Sequence, residues 1–277
     1  MTLLLGCDFS SSPSRRKPIV VACGCAVGDV VTLTGLEAFT TLDDWGRWLA
    51  TTPRWVGAFD FPFGLPRELV DTLGWPRRWP ALIAYYAGLS RQDIRTAFAA
   101  FCAARPIGRK FAHRATDGPA GSSPSMKWVN PPVAYMLQAG VPRLLGAGAS
   151  IPGLHRNMAT DASGRIALEG YPGLLARELI GRRSYKNDAV ARQTPERTAA
   201  RVALLAALAQ GATRLGLRLA LTQAQRDSLV ADASGDRLDA VLCLMQAAWC
   251  AARAGSAGPG YGLPVEIDPL EGWIATA

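Results

Sequence analysis

Apolar positions follow two different periods along this chain. Near the N-terminus they form short blocks: Leu3 to Leu5 within residues 2–8, PIVVACGCAV (18–27), VVTLTGL (30–36) and WVGAF within 54–60. Blocks of this length, rich in Val, Leu and aromatics and bounded by Gly, Pro or Ser, predict strands. Gly28-Asp29 predicts a hairpin turn between the second and third. TLDDWGRWLA (41–50) predicts a short helix, with Thr41 as its cap and acids in its first turn. The opening pattern is therefore βββαβ. Farther on, GRIALE (164–169) predicts another strand, stopped by Gly170 and Pro172. Helices are predicted over 172–181, 195–210 and 222–232, and a last one runs from Ser234/Asp236 through Ala252. In that last helix Leu238, Val241, Leu242, Met245, Ala248 and Trp249 recur at helical spacing and should face the sheet.

Several predicted elements begin or end on acids. The first strand reaches Asp8 and breaks into Ser10, Ser11 and Ser12; the fourth reaches Asp60 and breaks into FPFGLP. A parallel-type strand ending on a carboxylate presents it at the sheet edge where open α/β folds bind ligands. Glu169 ends the next strand, while Asp236 and Asp239, three apart in GDRLDA, share a helix face. Such a cluster can hold Mg²⁺ or Mn²⁺ through hard oxygen ligands. Two ions about 3.5–4 Å apart can orient a water and stabilise the leaving oxygen of a phosphodiester. Plainer roles stay open for each acid: Asp236 as an N-cap with Asp239 its N3 partner, Asp8 as a turn-former, Glu169 as an exposed strand end.

Charge adds a second theme. The 277 residues carry a net charge of +8 and are 49% apolar, which suits one large folded domain over 1–277. Segment 61–163, rich in Pro, Gly, Trp and Arg, holds twelve Lys/Arg against five Asp/Glu, so most of the excess is local to it. It predicts as an insertion with helices near 78–88, 90–104 and 131–139. Arg109, Lys110 and Arg114, with His113 and Phe111 among them, could grip a phosphate backbone and stack a base. Lys127, Arg182 and Arg183 extend this basic set, and Lys186 in SYKND is a candidate contact to a scissile phosphate. A charged helix end and a solvated loop lysine are the plainer alternatives. Trp75, Trp79 and Trp128 lie near basic residues and could line a groove. Six cysteines lack zinc spacing and predict buried free thiols. Two histidines offer little to a triad or a zinc site. No signal peptide is evident, and arginines interrupt the Ala/Leu-rich stretch 199–221, so the expectation is a cytoplasmic chain without a membrane span.

GCDFSSSP, AFDFPFGLP, ALEGYPG, SYKND and LDAVLCLMQAA, in that order, resemble the uncharacterised family of predicted ribonuclease H-like nucleases, the domain-of-unknown-function family numbered 429. HRATD (113–117) and the downstream PPVAYML resemble that family's insertion. The likeness spans nearly the whole chain and lies on the RuvC-type side of the ribonuclease H-like superfamily. It implies a mixed five-stranded sheet of order 3-2-1-4-5, strand 2 antiparallel, with helices on both faces and a long, mainly helical insertion after strand 4. It further implies metal ligation by Asp8, Asp60 and Asp239 with Asp236 beside them; Asp236 or Glu169 is expected to complete the shell, although a fifth-strand acid is not part of the minimal ribonuclease H set. The usual glutamate of the first helix has only Asp43 and Asp44 as poor substitutes. The expected activity is metal-dependent hydrolysis of DNA or RNA, and a homodimer is compatible with the RuvC-type likeness. The alternatives are a non-catalytic nucleic-acid or nucleotide-binding module and, less favoured, a small-molecule phosphotransferase. No glycine-rich phosphate loop supports the last.

Overall fold

A computed structural model describes residues 2–157 and 164–277. The last six residues of the expected insertion, 158–163, lie outside the described residues. The opening pattern is realised as β1 (Leu3–Asp8), β2 (Ile19–Val27), β3 (Val30–Phe39), α1 (Leu42–Thr51) and β4 (Trp55–Phe59). The segment that follows holds α2 (Arg67–Thr72), α3 (Trp79–Gly88), α4 (Arg91–Ala103), α5 (Asp117–Ala120) and α6 (Val133–Gly146). The chain then returns through β5 (Arg165–Glu169), α7 (Pro172–Ile180), α8 (Pro195–Gln210), β6 (Arg218–Ala220), α9 (Gln223–Ala231) and α10 (Asp236–Ala251).

The sheet is mixed and six-stranded, in the order β5-β4-β1-β2-β3-β6. β2 is antiparallel to β1 and β3, whereas β4 is parallel to β1 and β5. The expectation of five strands is corrected by β6, which pairs parallel to β3 through Val30↔Arg218 to Thr32↔Ala220. With three residues, β6 is too short to carry a readable alternation.

Alternation along the strands builds two cores, because successive side chains leave opposite faces. Leu5, Cys7, Ile19, Val21, Trp55 and Phe59 pack with Trp45 and Leu49 of α1 and with the helices of the insertion. Leu4, Val20, Ala22, Val56 and Leu168 pack with α7, α8 and α10 on the other face. The insertion is therefore not an appendage: it supplies the second layer of one face.

Two glycines set the closest approaches. A Cβ on Gly6 would lie 2.0 Å from the Leu244 nitrogen and 2.1 Å from the Ala240 carbonyl oxygen. α10 thus lies directly on the β1 backbone, which brings its first turn to the end of that strand. A Cβ on Gly64 would lie 2.2 Å from the Leu270 carbonyl oxygen, since the C-terminal segment crosses the turn after β4. That segment lies back on the body: Leu270, Ile274 and Ala275 are buried, and Arg67 donates to Asp268 at 2.9 Å.

Candidate functional site

Parallel pairing of β1 with β4 runs up to Cys7↔Phe59, and the Asp60 N–H donates to the Cys7 carbonyl at 2.9 Å. Asp8 and Asp60 are the next residues of the two strands and share the sheet face that α10 covers. α10 begins after Gly235, whose left-handed φ of 77° turns the chain into the helix. Its first turn delivers Asp236 and Asp239 to the same place, both buried. The plainer N-cap role for Asp236 does not hold, because Gly235 occupies the cap.

Burial and neighbouring charge raise the carboxyls of Asp8, Asp60 and Asp236. Burial and repulsion by Asp239 and Asp236 hold the Asp8 carboxyl well above the usual range. Burial and the Asp239 charge push Asp60 up to about 7. Asp236 is raised by burial although Lys17 partly offsets this. Lys17 Nζ donates to Asp236 at 2.6 Å and to Asp188 at 2.9 Å. Asp239 accepts from the Tyr185 hydroxyl and the Lys186 ammonium. Burial alone would depress the Lys186 ammonium, but Asp239, Tyr185 and Asp8 together outweigh it and hold the proton well above the ordinary lysine value. Cys7 and Cys243 lie beside the cluster as free thiols, their pKa values raised well above normal by burial first and by neighbouring aspartates second.

Chemically, Asp8, Asp60 and Asp239 carry the hard oxygen donors that a divalent cation takes. As they stand, no group of three or more His, Cys, Asp or Glu side chains among the described residues is arranged to ligate a metal. Lys186 and Lys17 instead neutralise Asp239 and Asp236 from within.

Glu169 is buried at the end of β5, but its oxygens are committed. Arg114 donates to them at 2.6 and 2.8 Å, and the Phe63 N–H donates at 3.0 Å. Burial still raises its pKa, against the lowering by Arg114. Glu169 is thus neither an exposed strand end nor a free ligand. Arg114 is the matching correction to the expected nucleic-acid grip. Only 3% exposed, it bridges Glu169, Asp117 and the Glu271 carbonyl, so its guanidinium holds the insertion to β5 and the C-terminal segment.

A cavity of about 410 Å³ opens beside the cluster. Asp60, Lys186 and Tyr185 line it, as do Phe61, the first turn of α7 and residues of the loop and helix around Val133 and Met136. Arg183 also lines it, but Arg109, Lys110, Lys127 and Arg182 do not. Arg109, Lys110 and Arg182 are exposed elsewhere, and Lys127 is half-buried. Trp75 and Trp79 are core residues rather than groove walls. The Ser11 carbonyl is occupied by Arg91 at 2.7 Å.

Two participants escaped the sequence reading. Lys17 ends a basic turn over residues 15–17 that no motif marks, yet the Asp8↔Val20 pairing of the first hairpin places the start of β2 beside Asp8. Tyr185 stands next to Lys186 within SYKND and aims its hydroxyl at the same aspartate. No protein-family model, curated protein or solved structure matches the chain.

Proposed function

We propose that this protein is a divalent-metal-dependent phosphodiesterase acting on nucleic acid, on a ribonuclease H-like sheet. The observation that carries this reading is the meeting of Asp8, Asp60 and Asp239 at one sheet edge, where burial and the Asp239 charge raise the proton affinity of Asp8 and Asp60. Crowding buried Asp8 and Asp239 against half-buried Asp60 is costly unless positive charge offsets it, and a bound cation would add to what Lys186 supplies. The run β5-β4-β1-β2-β3 with an antiparallel β2 supports the fold part; β6 extends it by one strand.

Asp8, Asp60 and Asp239 would hold Mg²⁺ or Mn²⁺. The bound ion supplies Lewis-acid polarisation of a phosphoryl oxygen and lowers the pKa of a water. Lys186 faces the cavity and, freed from Asp239, offsets phosphate charge there. Tyr185 orients Asp239 through its hydroxyl. Asp236 stays paired with Lys17 and keeps the first turn of α10 in place, and Glu169 stays with Arg114, so neither completes the ligand set.

Calorimetric titration of Mg²⁺ and Mn²⁺ into wild type, Asp8→Asn and Asp60→Asn, followed by cleavage assays on labelled DNA and RNA, tests the reading. Binding and cleavage in the wild type should both vanish in the variants. Full metal-stimulated cleavage by both variants would sink it.

One observation favours a second reading, a non-catalytic nucleic-acid or nucleotide-binding module. Lys186 and Lys17 already balance Asp239 and Asp236, so the cluster can persist without a metal. Salt-sensitive binding that chelation leaves unchanged identifies that case.

A further inference from the structure

We infer that the cavity beside the carboxylates is a receptor for a single unpaired nucleotide, either a free nucleoside monophosphate or the end of a single strand. This deepens the nuclease reading and rests on it for the cation. The first argument is size. About 410 Å³ lies within the range of roughly 300–1,000 Å³ typical of small-molecule sites. A space of that order accepts one nucleotide, and a duplex cannot enter it without giving one up.

The second argument is the wall. Phe61, Val133, Met136 and Ile180 present apolar surface, and Tyr171 adds an aromatic ring. Phe61 is itself fixed, its ring 4.5 Å from that of Phe9 and 5.3 Å from that of Phe63. The Tyr171 ring is held under Arg177, whose guanidinium carbon lies 5.2 Å from the ring centroid and which donates to the Tyr171 hydroxyl at 3.0 Å. Rigid apolar and aromatic walls suit a planar base, which stacks on such surfaces regardless of its identity. A bare phosphate or a sugar phosphate would gain nothing from them.

The third argument is charge on the same lining. Arg183 lines the cavity and is anchored through its Nε, which donates to the Ile180 carbonyl at 3.1 Å, a bond that does not use its two terminal amino groups. A guanidinium so anchored suits a phosphate, which it can bind through two parallel hydrogen bonds. Lys186 adds a second cation. Asp60 on the same lining would repel a phosphate by itself. A divalent cation shared with Asp8 would turn that repulsion into a bridge, so nucleotide and metal should bind cooperatively.

The test is calorimetry at pH 8 with adenosine 5′-monophosphate, ribose 5-phosphate, a short single strand with free ends and a blunt duplex, each with Mg²⁺ and with chelator. The expected result is saturable binding of the mononucleotide, at least tenfold weaker binding of ribose 5-phosphate, and tighter binding with Mg²⁺. The single strand should compete with the mononucleotide and the blunt duplex should not. If the strand binds and the mononucleotide does not, a strand end is the occupant. Met136→Trp and Val133→Trp, both at half-buried positions, should fill the cavity. Each should cost the nucleotide at least tenfold while leaving Mg²⁺ binding and the thermal transition unchanged. Equal binding of ribose 5-phosphate, or nucleotide binding untouched in both tryptophan variants, overturns the inference. Mg²⁺ binding without any nucleotide or strand binding also overturns it while leaving the metal reading intact. Nucleotide binding without Mg²⁺ binding does the opposite.

Discussion

Asp60→Asn should make the metal-free protein more stable at pH 8 and flatten its stability profile below neutrality. In the folded chain burial and Asp239 raise the Asp60 carboxyl from an ordinary 3.8 to about 7. Between those two values the folded state retains a proton that the unfolded chain has lost. Stability therefore falls as pH rises through this window and levels off above about 7. Roughly three pH units at 1.36 kcal/mol each set a ceiling of about 4 kcal/mol. Asp60 is only half-buried, and water in the cavity screens part of this, so about 2–4 kcal/mol is expected. The asparagine keeps the shape and drops the charge. Urea unfolding followed by tryptophan fluorescence, in chelator, at steps from pH 4 to pH 8, measures the difference between variant and wild type. The two curves should meet near pH 4 and separate towards pH 8, with the variant the more stable. Added Mg²⁺ at pH 8 should stabilise the wild type more than the variant. Parallel curves across the whole range, or a natively folded variant that is less stable at pH 8, would refute the electrostatic account of the cluster.

Three further outcomes follow from the packing and the charges. Gly6→Ala should cost about 3 kcal/mol or more in urea unfolding, because the new methyl meets the backbone of α10 and not a side chain that can turn away. Arg114→Met should lose about 3–5 kcal/mol by leaving Glu169 and Asp117 buried without their partner, and adding Glu169→Gln should recover part of the loss in thermal melts. If the nucleic-acid expectation for the exposed pair is right, the Arg109→Ala/Lys110→Ala double variant should bind a strand with a slope of log K against log salt reduced by about 2; an unchanged slope removes these two from the contact surface.

Much of this architecture was legible in the sequence because its signals are local. Strand period, the breaks after Asp8 and Asp60, and the helical spacing of α10 each lie within a dozen residues, and all three were read close to where they occur. The acids at strand ends pointed to a common edge because parallel strands in one sheet end together. Tertiary structure decided what local pattern cannot encode. β6 exists only because β3 offers an open edge, and three residues carry no period of their own. Arg114 read as a surface cation beside Arg109 and Lys110. Its burial depends on Glu169 and Glu271, which lie 55 and 157 residues farther along the chain. Glu169 in turn was withdrawn from the cluster by that same contact. Lys17 entered it because the first hairpin folds the start of β2 back onto Asp8. The sequence by itself determined which carboxylates stand at the sheet edge. Which of them stay free was decided by long-range partners, since a buried charge is settled by whichever opposite charge the completed fold brings within reach.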